Sequence, residues 1–188
     1  MAEGTLGLVV HTGWAAAVVV TGTLAQPTVV ARAEVQMLGD PERFVFHRAA
    51  EGERAAAEAS IAHARGEAAR NAGRGLRQVL GLAATRVTAC VVVAKAGAMR
   101  ASLEAVLSAH PRIHSAEGAF YRDVLVEAAI TCGLAVRVVP PADVAALAAK
   151  KARVGIEEVA ALVARAGKAV GAPWGKDQKD AALGAWGA

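Results

Sequence analysis

Asp177 and Asp180 lie three residues apart in the closing stretch "KDQKDAALGAW". On a helix that spacing puts both carboxylates on one face, and oxygen ligands are what a hard cation such as Mg²⁺ takes. Near the other end of the chain, His11 stands in "VVHTGWAAAVVVTG". An imidazole is a neutral, softer ligand that suits Zn²⁺ or Mn²⁺ better than Mg²⁺. A third group, in "HSAEGAFYR", sets His114, Ser115 and Glu117 close together. Arg70, Arg74 and Arg77 fall at i, i+4 and i+7, on one helical face. Such a face is ordinarily just solvated; as a phosphate-contacting stripe it would act with Lys95, Lys150, Lys151 and Lys176.

Composition bounds the chemistry. The 188 residues suffice for one domain, residues 1–188, with a proper core. Hydrophobic residues make up 55%, much of it alanine, so the mean hydropathy of +0.36 overstates greasiness. No apolar run reaches the roughly 18–20 residues that span a bilayer. The start "MAEGTLGLVV" lacks a basic region before its apolar stretch, so a secretory signal is not expected and a cytoplasmic protein is. Cys90 and Cys132 sit in apolar stretches and make neither a CxxC pair nor a zinc cluster with histidine; they are expected to be buried small hydrophobes. A net charge of +4 permits a DNA or RNA partner without demanding one. Aromatics are few, and Trp14 and Trp186 are expected to pack a helix on a sheet rather than stack on bases.

The elements that must position these residues follow from pattern. Residues 5–12, the run "AAAVVVTG" and residues 28–38 read as three strands with short links, an antiparallel meander whose third member is edge-like. "GDPERF" breaks the pattern, with Pro41 able to open a helical turn. Residues 49–82 are helix-forming material interrupted by Gly66, Gly73 and Gly75. Residues 87–94 form a central buried strand, flanked by strands at 6–10 and 135–139. Between them lies a helix with Ser115 as N-cap and Gly133 as stop. "PADVAALAAKKA", "GIEEVAALVARAGKAVG" and "KDQKDAALGAW" are helical. A doubly wound sheet would alternate strand and helix from the outset. Three strands first, then helix and strand in turn, is the order of an α/β ribonuclease H-like architecture: a five-stranded mixed sheet flanked by helices.

The patches resemble RuvC-type Holliday junction resolvases. "VVHTGWAAAVVVTG" looks like their first hairpin, where an Asp-Pro-Gly turn precedes a strand rich in glycine and aromatics. "RVVPPADV" resembles their last strand and the proline leading to a lysine-bearing segment, here Lys150 and Lys151. The closing stretch is similar to their D-x-x-D-A-x-A signature, on Asp177, Asp180, Ala181 and Ala182. The resemblance implies phosphodiester cleavage by two bound metal ions held by carboxylates. It also exposes two departures. His11 stands where the first aspartate belongs, and Lys95 lies near the place of the fourth-strand glutamate.

Those losses point to a degenerate RuvC-like domain that acts as a nucleic-acid-binding or scaffold protein, with no cofactor expected. One alternative is a metal-dependent nuclease with a rebuilt site on His11, Glu117, Asp177 and Asp180, with His114 nearby, taking Mg²⁺, Mn²⁺ or Zn²⁺. In the plainer account of these residues, Ser115 caps its helix, Glu117 favours the helix N-terminus, and His114 is a surface residue. A second alternative is a protein-interaction module. A homodimer is compatible with each, and a membrane partner with none.

Overall fold

The computed structural model describes residues 3–95, 97 and 101–188. Its strands are β1 (Gly4–Val10), β2 (Trp14–Gly22), β3 (Pro27–Gln36), β4 (Val87–Val93) and β5 (Ala135–Val139). They form one sheet in the order β3-β2-β1-β4-β5. The first three are an antiparallel meander, Leu8 opposite Ala17 and Val18 opposite Arg32. β4 runs parallel to β1 and to β5, so it lies between the two strands expected to flank it. β3 is an edge, also as expected.

Seven helices among the described residues cover both faces: α1 (Val45–Glu51), α2 (Ala57–Leu82), α3 (Leu103–Leu107), α4 (His110–Thr131), α5 (Val144–Ala152), α6 (Ile156–Val170) and α7 (Lys176–Trp186). Alternate residues of each inner strand go to different layers. Leu6, Leu8, Ala17, Val19, Cys90 and Val92 pack toward α1–α4, while Val9, Val18, Val20, Val91 and Val93 pack toward α5–α7. A strand buried on both faces has no polar residue to alternate with. That is why "AAAVVV" and "CVVV" are unbroken.

Three features differ from the sequence reading. The 49–82 helix is two: α1 closes at Gly52, whose backbone turns extended, and a short 3₁₀ turn at Arg54–Ala56 leads into α2. Within α2 the glycines interrupt nothing; Gly75 lies against Val35 of β3, where a side chain would not fit. Nor is Ser115 an N-cap. α4 begins five residues earlier, at His110, with Pro111 in its first turn, and the Ser115 hydroxyl donates back to the Pro111 carbonyl at 3.0 Å. Proline tolerates the first turn because its missing N–H would have no helical partner there. Gly133 does end α4, in the left-handed region at φ +81°.

Cys90 is buried, and burial, with Cys132 adding to it, pushes its thiol up to about 12. Cys132 is only partly buried, less than expected, and both cysteines are free. Trp186 is buried in the helix-on-sheet core as expected, with its Nε1 directed at the Thr21 carbonyl at 3.4 Å. No helix among the described residues is long and apolar enough to cross a membrane.

One contact sets where α7 lies. A Cβ on Gly7 of β1 would sit 1.8 Å from the Ala181 carbonyl oxygen, so helix backbone rests directly on strand backbone. On the same helix, a Cβ on Gly184 would meet Val93 Cγ2 at 2.9 Å. The alanine and glycine of the closing stretch thus seat α7 across β1 and β4.

Candidate functional site

Since β1 and β4 are parallel, their C-terminal ends share one edge of the sheet. His11 follows β1 there, and the seating of α7 on Gly7 brings Asp177 to it. His11 Nε2 lies 3.1 Å from Asp177 Oδ2, with both side chains about one-third exposed. The two atoms are in contact distance without hydrogen-bond alignment, and Nε2 itself is shut off from water. The imidazole stacks on Trp14, ring centres 4.4 Å apart and planes 12° from parallel. Trp14 therefore has a role beyond core packing: it holds the ring that faces the carboxylate.

Asp180 is occupied too. It accepts a short hydrogen bond from Lys176 Nζ one turn earlier on α7. That hydrogen bond and the Asp180 charge, with Asp177 contributing less, hold the Lys176 ammonium above its ordinary value. Each of the two α7 carboxylates thus has a nitrogen of this chain against it.

At the end of β4 the environment is cationic. Lys95 is exposed, and its carbonyl accepts from Arg122 Nη1 of α4 at 2.9 Å. Arg122 is itself buried and pairs with Asp123 at 2.8 Å. A buried guanidinium at this strand end is not legible in the sequence, where Arg122 is one residue of a helix.

The segment entering α7 is anchored by Arg32 of β3. Its Nη1 donates to the carbonyls of Gly171, at 2.9 Å, and Pro173; its Nη2 donates to those of Ala172, at 2.9 Å, and Val170, at 3.3 Å. A guanidinium is suited to this because it carries five donors in a fixed fork. Trp174 adds a hydrogen bond from Nε1 to the Val163 carbonyl at 3.1 Å. Arg32→Ala is expected to lower stability by about 1.5–3 kcal/mol, the range for hydrogen bonds from a charged group. Arg32→Lys should recover less than half of that loss in urea unfolding, since an ammonium cannot reach four carbonyls at once.

The structure separates the residues expected to converge. His114 and Glu117 do not join His11 and Asp177. They face α1, where Glu117 Oε1 accepts from His47 Nδ1 at 3.0 Å. His47, His110 and His114 gather their ring nitrogens within 4.8 Å of one another, and they are the one group of three such ligands among the described residues. The reason is the earlier start of α4. His110 and His114 are one turn apart inside the helix, and Glu117 is a buried residue of its second turn rather than a charge at its N-terminus. The sequence reading missed His47 and His110; the i, i+4 spacing of "HPRIH" was the available signal once Pro111 is placed in a first turn.

A pair of magnesium ions needs several convergent oxygens on a site free to accept them. Here the residue that follows β1 is an imidazole rather than an oxygen ligand, Asp180 is tied to Lys176, and the end of β4 offers cations. These residues do not fit a two-magnesium centre.

The remaining basic residues lie elsewhere. Arg70, Arg74 and Arg77 are exposed on the outer side of α2, across the sheet from α7, with Arg74 hydrogen-bonded to Asn71 at 3.2 Å. Lys150 and Lys151 are exposed in the last turn of α5, where positive charge also favours the helix end.

No protein-family model matches this chain, and no curated protein matches it by sequence. Among solved structures it is similar to "T. thermophilus RuvC in complex with Holliday junction substrate", with TM-score 0.58, 16% identity, and coverage of 98% of this chain and 91% of that one. It is also similar to "Thermus thermophilus RuvC structure", with TM-score 0.56, 16% identity, and coverage of 98% and 92%. At this identity the likeness establishes the fold: the chain has the ribonuclease H-like, RuvC-type arrangement of a five-stranded mixed sheet between helical layers.

Proposed function

We propose that this chain is a RuvC-like domain that binds nucleic acid without hydrolysing it. The observation that carries this reading is the internal pairing at the sheet edge: His11 against Asp177 and Lys176 on Asp180. Asp180 is satisfied by Lys176 and Asp177 has the His11 imidazole against it, while the fold that would present a backbone-contacting surface is retained. One structural neighbour was solved with a Holliday junction substrate, which makes branched DNA the first ligand to try.

The test is fluorescence anisotropy with a four-way DNA junction, a linear duplex and a single-stranded RNA, alongside a cleavage assay in Mg²⁺ and Mn²⁺. Binding is expected to be salt-dependent. If the three arginines of α2 each neutralise one phosphate, affinity falls about 40-fold between 50 and 200 mM salt, and Arg70→Ala with Arg74→Ala lowers the log–log slope by about two. Products from any junction arm in Mg²⁺ would overturn the non-hydrolytic reading. No binding even at low salt would point instead to a protein-interaction module.

A further inference from the structure

We propose that His47, His110 and His114 form a binding site for a zinc-class divalent metal ion, separate from the His11–Asp177 edge. The ligand set comes from two elements. His110 and His114 are separated by one turn of α4, and His47 is supplied by α1. The i, i+4 spacing stacks two imidazoles on one helix face, and α1 closes over them with the third.

The geometry is that of ligands approaching one point from three directions. The ring planes are mutually steep: 76° between His47 and His110, 64° between His47 and His114, and 86° between His110 and His114. The ring centres are 5.2, 4.8 and 4.4 Å apart in the same order. His47 Nε2 and His110 Nε2 are separated by 3.4 Å. Two nitrogens bound at about 2.0–2.1 Å to a tetrahedral Zn²⁺ stand about 3.3–3.4 Å apart. These two are already at that spacing.

Glu117 supplies the second, independent observation. Its carboxylate is 2% exposed and accepts from His47 Nδ1 at 3.0 Å. Burying a carboxylate is costly unless it has a partner, and this one is spent on His47, whose backbone N–H also lies 3.5 Å from the same oxygen. With the proton fixed on Nδ1, the lone pair of Nε2 is turned toward His110 and His114. A carboxylate behind a ligating histidine orients the ring and raises its basicity, the recurrent support of a metal-bound imidazole. Three neutral nitrogens favour Zn²⁺ and its neighbours in the first transition row over Mg²⁺ or Ca²⁺, which take oxygen. His110 and His114 are exposed, so the fourth position of a tetrahedral ion opens to water. Bound metal would also tie α1 to α4, two elements on the same layer.

The experiment is isothermal titration of tag-free, reduced protein with ZnCl₂, with Mg²⁺ as comparison and Co²⁺ absorption as a report of four-coordinate geometry. One zinc per chain is expected, with no heat from Mg²⁺. The exposed positions allow His110→Ala and His114→Ala to be made without loss of fold, checked by circular dichroism, and either should abolish binding at micromolar zinc. Glu117→Gln should keep one site per chain and weaken it about 10–100-fold. His11→Ala should leave the affinity unchanged. Absence of zinc binding by the natural chain overturns the proposal. So does undiminished binding by the His110→Ala, His114→Ala double variant, which would place the ion on another set such as His11 and Asp177 or Cys132.

Discussion

Gly7→Ala is expected to cost the protein at least about 3 kcal/mol, more than most single methyl additions to a packed core. The added Cβ would lie 1.8 Å from a carbonyl oxygen of α7. A flexible side chain can swing away from such a contact; a backbone oxygen cannot. Either β1 or the whole of α7 must move, and β1 is held by hydrogen bonds to β2 on one side and β4 on the other. Total stability of a protein this size is about 5–15 kcal/mol, so the variant loses a large fraction of it. Urea unfolding measures the loss. Gly118 on α4 provides the control, because a Cβ there meets nothing within 4 Å; alanine at that exposed helical position should stabilise by roughly 0.5–1 kcal/mol. Equal stability of the Gly7→Ala and natural proteins would show that α7 does not rest on β1 as described.

The same contact explains how much of the molecule is legible in its sequence. The strands are legible because brief β-branched runs such as "CVVV" have few ways to be buried, and their order selects the topology. α7 is legible as a helix, but nothing in "DAALGA" states that its small residues are spaced to meet Gly7 and Val93. Helix boundaries fail where the competing signals are local and equal. Ser115 has the chemistry of a cap, yet α4 starts at His110 behind a capless Ala109, because Pro111 suits a first turn and Ile113 is drawn into the core.

That five-residue difference reassigns the site. It moves His114 and Glu117 from a helix start into a helix body, and turns them toward His47. No local pattern announces His47, which meets Glu117 from 70 residues away. His11 and Asp177, by contrast, lie near opposite ends of the sequence, and the seating of α7 on β1 brings them within 3.1 Å. Arg32 shows the limit from the other side. It is one residue of an edge-like strand, while its four carbonyl partners lie about 140 residues further on.

The His11→Asp variant is expected to make stability depend on Mg²⁺ where the natural protein's does not. In either protonation state, the natural imidazole brings no negative charge against Asp177. The substitution adds a carboxylate to the edge that faces Asp177, which shares α7 with Asp180, whose Lys176 partner is 82% exposed at its side chain. Like charges so placed should lower stability by about 1–2 kcal/mol in the absence of divalent ions, discounted for the partial exposure of the site. Three oxygens on one edge are a ligand set for a hard cation. With a dissociation constant near 0.1 mM, about 10 mM Mg²⁺ would return about 2.7 kcal/mol. For a chain of this length that is a rise in Tm of about 5–10 °C. The natural protein should shift by less than about 1 °C under the same addition, since a ligand that does not bind the folded state cannot stabilise it. Differential scanning fluorimetry with and without Mg²⁺ reads both proteins. A variant that is destabilised and not rescued would mean that the nitrogens of Lys176 and Arg122 keep the edge closed to cations even when a carboxylate replaces His11.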